Sequence, residues 1–294
     1  MSNHRIIIGC GYVGQRLAHA EIQSGLTVTA TVTRADKAQQ LTRAGIICEQ
    51  LDLDRTTNNI KLNCTNAVIH YHVPPPASGT VDQRLQTFLR LMGQQAPPER
   101  IVLISTTGVY GNTDGGWVTE DSPTNPQSDR AQRRLDAEQQ LLAWCRQNKV
   151  TFVTLRVPGI YGPGRTPEAR LAKPVVHSEE APYSNRIHVD DLVSACLQAA
   201  KIDAPYALYN VNDNQPSTMT DYFNAVADYA GLPRPKTISL EQAKVELSPA
   251  MLSYLSESRR IDNTRLREHL GVNLRFPDLA SGLADCFKQK EKDY

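Results

Sequence analysis

Short runs of β-branched and aliphatic residues alternate with stretches of helical periodicity through the first two-thirds of the chain. That pattern predicts consecutive βαβ units on a parallel sheet. Strands are predicted at Arg5 to Ile8, Thr27 to Val32, Ile46 to Gln50, Ala67 to Tyr71, Ile101 to Ser105 and Thr151 to Arg156. Several are rich in Ile, Val and Leu, as suits strands covered by helices on both faces, because a half-exposed strand alternates polar and apolar residues. Thr27 to Val32 alternates more than the rest. Gln83 to Gln94 and Gln132 to Gln147 carry apolar residues at helical spacing and are predicted as crossover helices. After Gly162 the texture changes, with Pro163, Pro167, Pro174 and Pro182 in one loop-rich stretch. A helix from Asp190 to Ala200 and a strand at Tyr206 to Val211 follow, and the remainder, Thr218 to Tyr294, is predicted to be mostly helical. The expected organisation is a sheet-bearing domain over residues 1–162, to which 186–215 return, and a smaller domain built from 163–185 and 216–294.

A length of 294 residues suits one large domain with such a satellite. Hydrophobic residues make up 40% and charged residues 21%, with a net charge of +1. This balance belongs to an ordinary globular protein and gives no basis for nucleic-acid or membrane partners. The longest apolar runs are strand-sized, far below the roughly 20 residues a membrane helix needs. Met1 to Arg5 run straight into the first strand and leave no room for a leader, so the chain is expected in the cytoplasm. The six cysteines, Cys10, Cys48, Cys64, Cys145, Cys196 and Cys286, form no Cys-x-x-Cys pair and have no neighbouring His at ligand spacing. They are expected to be reduced and mostly buried, and no metal site is expected.

Chemistry enters with Gly9-Cys10-Gly11-Tyr12-Val13-Gly14, which follows the first strand directly and opens a helix predicted over Gln15 to Gln23. In that context the glycines have separate tasks: Gly9 permits the tight turn, Gly11 lets backbone approach a pyrophosphate, and Gly14 lets helix pack on sheet. The helix N-terminus faces the negative charge. The prediction is a Rossmann-type doubly wound sheet with a smaller, mostly helical C-terminal substrate domain. Where an NAD-preferring fold ends its second strand in Asp or Glu, this chain has Thr33 and Arg34. A cation there pairs with a 2′-phosphate, which favours NADP over NAD. Arg34 as a solvated loop residue is the competing reading, and Asp36 lies too far along to serve easily as the ribose carboxylate.

Leu51-Asp52-Leu53-Asp54, Val68-Ile69-His70-Tyr71-His72-Val73, Ser105-Thr106-Thr107-Gly108-Val109-Tyr110-Gly111, Arg156-Val157-Pro158-Gly159-Ile160-Tyr161-Gly162-Pro163-Gly164 and Arg186-Ile187-His188-Val189-Asp190-Asp191-Leu192 follow in order. Together with the glycine loop they resemble the extended short-chain dehydrogenase/reductase family, the epimerase and dehydratase branch, and more closely its atypical members. The resemblance implies that Asp52 and Leu53 lie beside adenine, that Tyr71, Val73 and Pro158 flank the cofactor, and that Thr106 holds the substrate oxygen. It also implies a homodimer through helices near Gln83 to Met92 and Arg134 to Trp144. In the family a Tyr, lowered in pKa by a Lys four residues later, exchanges the proton during hydride transfer. Laid against that spacing, Arg130 stands at the Tyr position and Arg134 at the Lys position, with Glu138 beyond.

Guanidinium, with a pKa above about 12, is a poor proton donor and no base near neutrality. One helical turn apart, Arg130 and Arg134 can clamp an anion, or form a solvated basic face with Arg134 paired to Glu138. His72, at the end of the fourth strand, is a substitute acid that titrates in the useful range, or else a packed loop histidine. Tyr110 and Tyr161 are further acids, although the family uses those positions for packing. His188 and Asp190 are expected to fix the connection between domains. The short span from Gly164 to Arg186 points to a smaller substrate than a nucleotide-sugar, or to none. Two functions stay open: an NADP(H)-dependent oxidoreductase or epimerase-like enzyme acting on a small anionic substrate, and a catalytically silent NADP(H) sensor.

Overall fold

The computed structural model describes residues 3–55, 62–201, 203–205 and 207–288. Its centre is a parallel sheet of seven strands: β1 (His4–Ile8), β2 (Thr27–Val32), β3 (Ile47–Gln50), β4 (Val68–Tyr71), β5 (Arg100–Thr106), β6 (Thr151–Val157) and β7 (Leu208–Asn210). The spatial order is β7-β6-β5-β4-β1-β2-β3. The chain first winds outward from β1 to β3, then returns to β4 on the other side of β1, and ligands of such sheets bind where the winding reverses. The register sets Ile8 opposite Thr31 and Tyr71. The turn after β1 and the turn after β4 therefore leave the sheet side by side.

Apolar residues on both strand faces are buried in two separate cores. Ile7 packs toward α1 (Tyr12–Gln23) and α5 (Val189–Ala199), whereas Ile6 and Ile8 pack toward α3 (Gln83–Met92) and α4 (Asp129–Asn148). The threonines that make β2 alternate have a plain cause: its Val28 and Ala30 join the first core, but no β2 residue joins the second. Leu85, Phe88, Ala137 and Leu141 on α3 and α4 are spent on the chain's own second core.

Helix α1 begins at Tyr12 rather than Gln15, because the glycine turn feeds straight into it with Gly11 as N-cap. Helix α2 (Ala35–Arg43) was not among the predicted elements: it is short and mostly polar, with only Ala38 and Leu41 buried. The predicted strand from Tyr206 is shorter, at Leu208–Asn210, and Tyr206 itself lies outside the described residues. So do the last residues before Tyr294.

The C-terminal region carries α6 (Met219–Ala230), α7 (Leu240–Glu246), α8 (Pro249–Leu255) and α9 (Leu279–Lys288). Their starts are written locally: Thr218 with Asp221 and Ser239 with Gln242 form capping boxes, and Ser248 caps α8 ahead of Pro249. Helices α6 and α9 bury Phe223, Val226 and Leu283 against Tyr161, Leu171 and Val175. Leu266, Leu270 and Val272 instead return to the first core of the sheet. Two-residue pairings such as Trp117–Val118 with Arg260–Ile261, and Tyr183–Ser184 with Ser217–Thr218, tie the distant segments together. No helix among the described residues is long and apolar enough to cross a membrane, and all six cysteines are free.

Gly282 shows how closely α9 approaches this junction, since a Cβ there falls 2.7 Å from ring carbons of the buried Tyr161. Gly282→Ala is therefore expected to lower the melting temperature through overpacking of about 1–3 kcal/mol, measurable by thermal unfolding, even though alanine is the better helix former.

Candidate active site

Gly9 adopts φ +89°, a left-handed conformation, and a Cβ there would stand 3.0 Å from the Val73 nitrogen and Cγ2. Only glycine combines that backbone with such a close approach. The Gly9 N–H donates to Thr31 Oγ1 at 3.2 Å and the Cys10 N–H to the Thr31 carbonyl at 2.7 Å, fastening the turn to β2. Gly14 lies inside α1, where a Cβ would meet Ile7 at 3.1 Å and the Gly9 carbonyl at 3.2 Å. Gly11 differs from both, because nothing lies within 4 Å of a Cβ built there. Helix α1 has no acidic residue in its first turn and no side chain capping its N-terminus. An open approach to uncapped amides at the positive end of a helix fits a pyrophosphate.

A cavity of about 460 Å³ opens at this reversal, lined among others by Gly9, Gly11, Thr33, Arg34, Asp52, Leu53, His72 and Val73. Seven of the predicted cofactor residues thus converge, namely Gly9, Gly11, Thr33, Arg34, Asp52, Leu53 and Val73. Val13 and Gly14 sit in the first turn of α1. Two predicted side chains lie elsewhere: the Tyr71 ring packs on Phe88 in the second core, and the Tyr12 hydroxyl donates to the Pro163 carbonyl at 3.0 Å. Pro158 lines a second cavity instead.

Arg34 is three-quarters exposed and holds Asp36 with both arms, its Nε at 3.0 Å from Oδ1 and its Nη2 on Oδ2. Lys37 brings a further cation to the wall. Arg84, which sequence reading passed over, closes the far side by donating to Asp54 at 2.8 and 2.6 Å and to the Pro74 carbonyl at 3.0 Å.

The second cavity, about 520 Å³, includes Thr106, Arg130, Pro158, Arg170, Arg186, Tyr222, Tyr254 and Arg259 in its wall. Its lining carries four arginines, and Glu257 is the only acid among the described lining residues. The Thr106 hydroxyl accepts from the Gly108 N–H at 3.2 Å. Arg130 lies 4.1 Å over the Tyr254 ring and donates to Ser253 at 3.1 Å. Arg186 is buried, stacked 3.8 Å over Tyr222. Burial favours its neutral form, and the nearby Tyr222 and Asp213 oppose that effect. Arg259 donates to the Gly111 carbonyl at 2.6 Å and to Glu257 at 2.8 Å. Arg186 stood inside a recognised motif, but Arg170 and Arg259 come from segments with no local signature.

The two arginines on α4 do not act as one clamp. Arg130 faces the second cavity, whereas Arg134 turns inward and donates to the Val73 carbonyl at 3.3 Å. Glu138 is not an exposed partner for Arg134: Arg156 holds it with two bonds at 3.1 and 2.7 Å, and Ser105 donates to it at 2.5 Å. His72 lines the first cavity, but burial, with help from His70 and Arg134, pushes its pKa down to about 3. A neutral imidazole of that kind does not donate a proton near neutrality. Burial pushes Tyr222 up to about 12 and Tyr161 higher still, while the Tyr110 hydroxyl donates to Asn210 at 2.8 Å. His188 caps α5 and packs 3.9 Å from the Phe276 ring. Asp191 accepts from the Arg275 and Phe276 N–H groups at 2.7 and 2.9 Å, so this motif fastens the C-terminal segment to the sheet.

A parallel nucleotide-type sheet with a glycine turn at its reversal, roofed by a small helical region, defines a class of dinucleotide-fold proteins. The model for the NAD dependent epimerase/dehydratase family matches residues 6–211, and the chain belongs to that family. Protein YeeZ of Escherichia coli K12 is 25% identical over 288 residues, spanning 92% of this chain and 96% of its own. A conserved protein of unknown function from Silicibacter pomeroyi matches with TM-score 0.80 and 28% identity, over 98% of this chain and 99% of that one. A UDP-glucuronic acid 4-epimerase from Bacillus cereus, solved with NAD, shares the fold at TM-score 0.75 and 17% identity, over 99% of this chain and 97% of that one.

Because its Cβ meets no protein atom, Gly11→Ala is expected to fold and melt close to wild type yet lose about tenfold or more in dinucleotide affinity. Paired thermal melts and fluorescence titrations check this; a large loss of stability would instead assign Gly11 a packing role.

Proposed function

We propose that this chain is an NADP(H)-dependent oxidoreductase or epimerase-like enzyme acting on a small anionic substrate. The observation that supports it most is the charge of the second cavity, four guanidinium groups against one carboxylate. Arginine forks match carboxylate and phosphate geometry, so a substrate carrying one of those groups is the natural complement. Thr106 and Pro158 lie on the same wall, where a substrate oxygen can be held.

When bound, the dinucleotide supplies hydride exchange at its nicotinamide. Arg130 offers charge to the substrate but no transferable proton near neutrality. With His72 held neutral and Tyr222 and Tyr161 raised, none of these three resembles the family's acidified Tyr. Water is therefore the proton's route, with Thr106 orienting the oxygen that receives it. The preference for NADP(H) rests on Arg34 and Lys37 at the cavity wall, where β2 runs out into Thr33. Asp36 is only a surface partner of Arg34, both side chains being mostly exposed, and a 2′-phosphate can displace it.

A second reading, a catalytically silent NADP(H) sensor, is favoured by one feature. The arginines at the Tyr and Lys positions are held by Ser253 and Val73. NADPH consumption with a panel of small 2-oxo acids and phosphorylated aldehydes separates the readings, since turnover of any member sinks the silent one.

Arg34→Ala should weaken NADPH about tenfold, roughly one charged hydrogen bond at an exposed site, while NADH binding stays unchanged. Equal loss for both dinucleotides in a fluorescence titration would remove the 2′-phosphate assignment. In the second cavity, Arg170→Gln is expected to raise KM for an anionic substrate about tenfold and leave NADPH affinity as it was; an unmoved KM argues against an anion there.

A further inference from the structure

We propose that His70, His72 and Cys196 form a binding site for a zinc-class divalent cation between β4 and α5. This inference is independent of the function proposed above. Strand alternation puts His70 and His72 on one side of the chain, and His70 pairs in register with Ile7, which faces the first core. Helix α5 brings Cys196 into the same core. One ligand atom from each of the three residues lies within 4.8 Å of the others. Ligand atoms around a tetrahedral zinc, at about 2.0 Å for nitrogen and 2.3 Å for sulfur, stand about 3.3–3.5 Å apart, so closure needs movements of about 1 Å.

A second observation points to a ligand. Among the described residues, none of the four ring nitrogens of His70 and His72 has a hydrogen-bond partner, although all are buried. Buried polar atoms are rarely left so. Glu21 Oε1 stands 3.7 Å from His70 Nε2, too long for a hydrogen bond. That carboxylate, itself buried and held by Arg5, stands where it can take an imidazole N–H or provide a fourth ligand.

Donor chemistry selects the ion. Two imidazoles and a sulfur suit zinc and its neighbours, whereas calcium and magnesium want oxygen. Burial keeps both imidazoles neutral, with lone pairs to give, and pushes the Cys196 thiol to about 12. Binding therefore breaks the S–H bond, forms a sulfur–metal bond and sends one proton to solvent. His72 also lines the glycine-loop cavity, which provides an entry path.

The test uses the full-length protein stripped with chelator, titrated with zinc chloride by calorimetry and with cobalt(II) chloride by absorbance. The expected result is one zinc per chain with one proton released, and a thiolate-to-cobalt charge-transfer band. Cys196→Ala should lose that band and at least about 100-fold in zinc affinity, while Cys48→Ala keeps both. Absence of stoichiometric zinc, or binding with no thiolate band, overturns the proposal. If circular dichroism shows Cys196→Ala unfolded, the wild-type cobalt spectrum decides alone.

Discussion

The approach of the Gly9 turn to the segment after β4 is the contact on which the first cavity depends. Three requirements coincide there: a left-handed backbone at Gly9, 3.0 Å of clearance to Val73, and a parallel register that ends β1 and β4 together. Arg134 adds a fourth by donating to the Val73 carbonyl from α4, across the strand that carries the loop. A residue at a position used elsewhere for chemistry thus holds the wall of the glycine-turn cavity. Burial pushes its pKa down from the usual guanidinium value, and the nearby carboxylates of Asp82 and Glu138 oppose that effect.

The same economy of position governs the second cavity. Arg130, one turn before Arg134 on α4, reaches the second cavity and meets Arg170, Arg186 and Arg259 there. Stacking on aromatic rings and bonds to neutral acceptors absorb part of their cost: Arg186 lies on Tyr222, Arg130 on Tyr254, and Arg259 on the Gly111 carbonyl. Few carboxylates neutralise them, so the chamber keeps a positive field that a ligand anion can use. Ser105, Glu138 and Arg156 form a closed network beside it that locks the end of β5 to α4 and β6.

Legibility along the chain followed the length and repetition of each signal. Strands such as Arg5 to Ile8 and Ile101 to Ser105 were plain because both faces are buried and composition repeats at every position. Helix α2 was not, since it is short and polar, with two buried residues in nine. The two-residue strands were invisible, because their pairing is decided by partners far away, as with Trp117 and Arg260. The glycine loop was readable because each glycine answers a local steric demand. The paths of Tyr12 and Tyr71 were not, because side-chain direction depends on which core lies opposite.

By itself the sequence determined the parallel sheet, the glycine turn at its first strand and the family's ordered motifs, since all of these are dictated by periodicity and backbone sterics within a few residues. Tertiary structure alone decided that Arg130 and Arg134 diverge, that Arg170 and Arg259 join Arg186 in one chamber, and that His70, His72 and Cys196 converge across β4 and α5. Those are properties of packing between segments distant in the chain, and charge and coordination depend on distance in space, which no local spacing encodes.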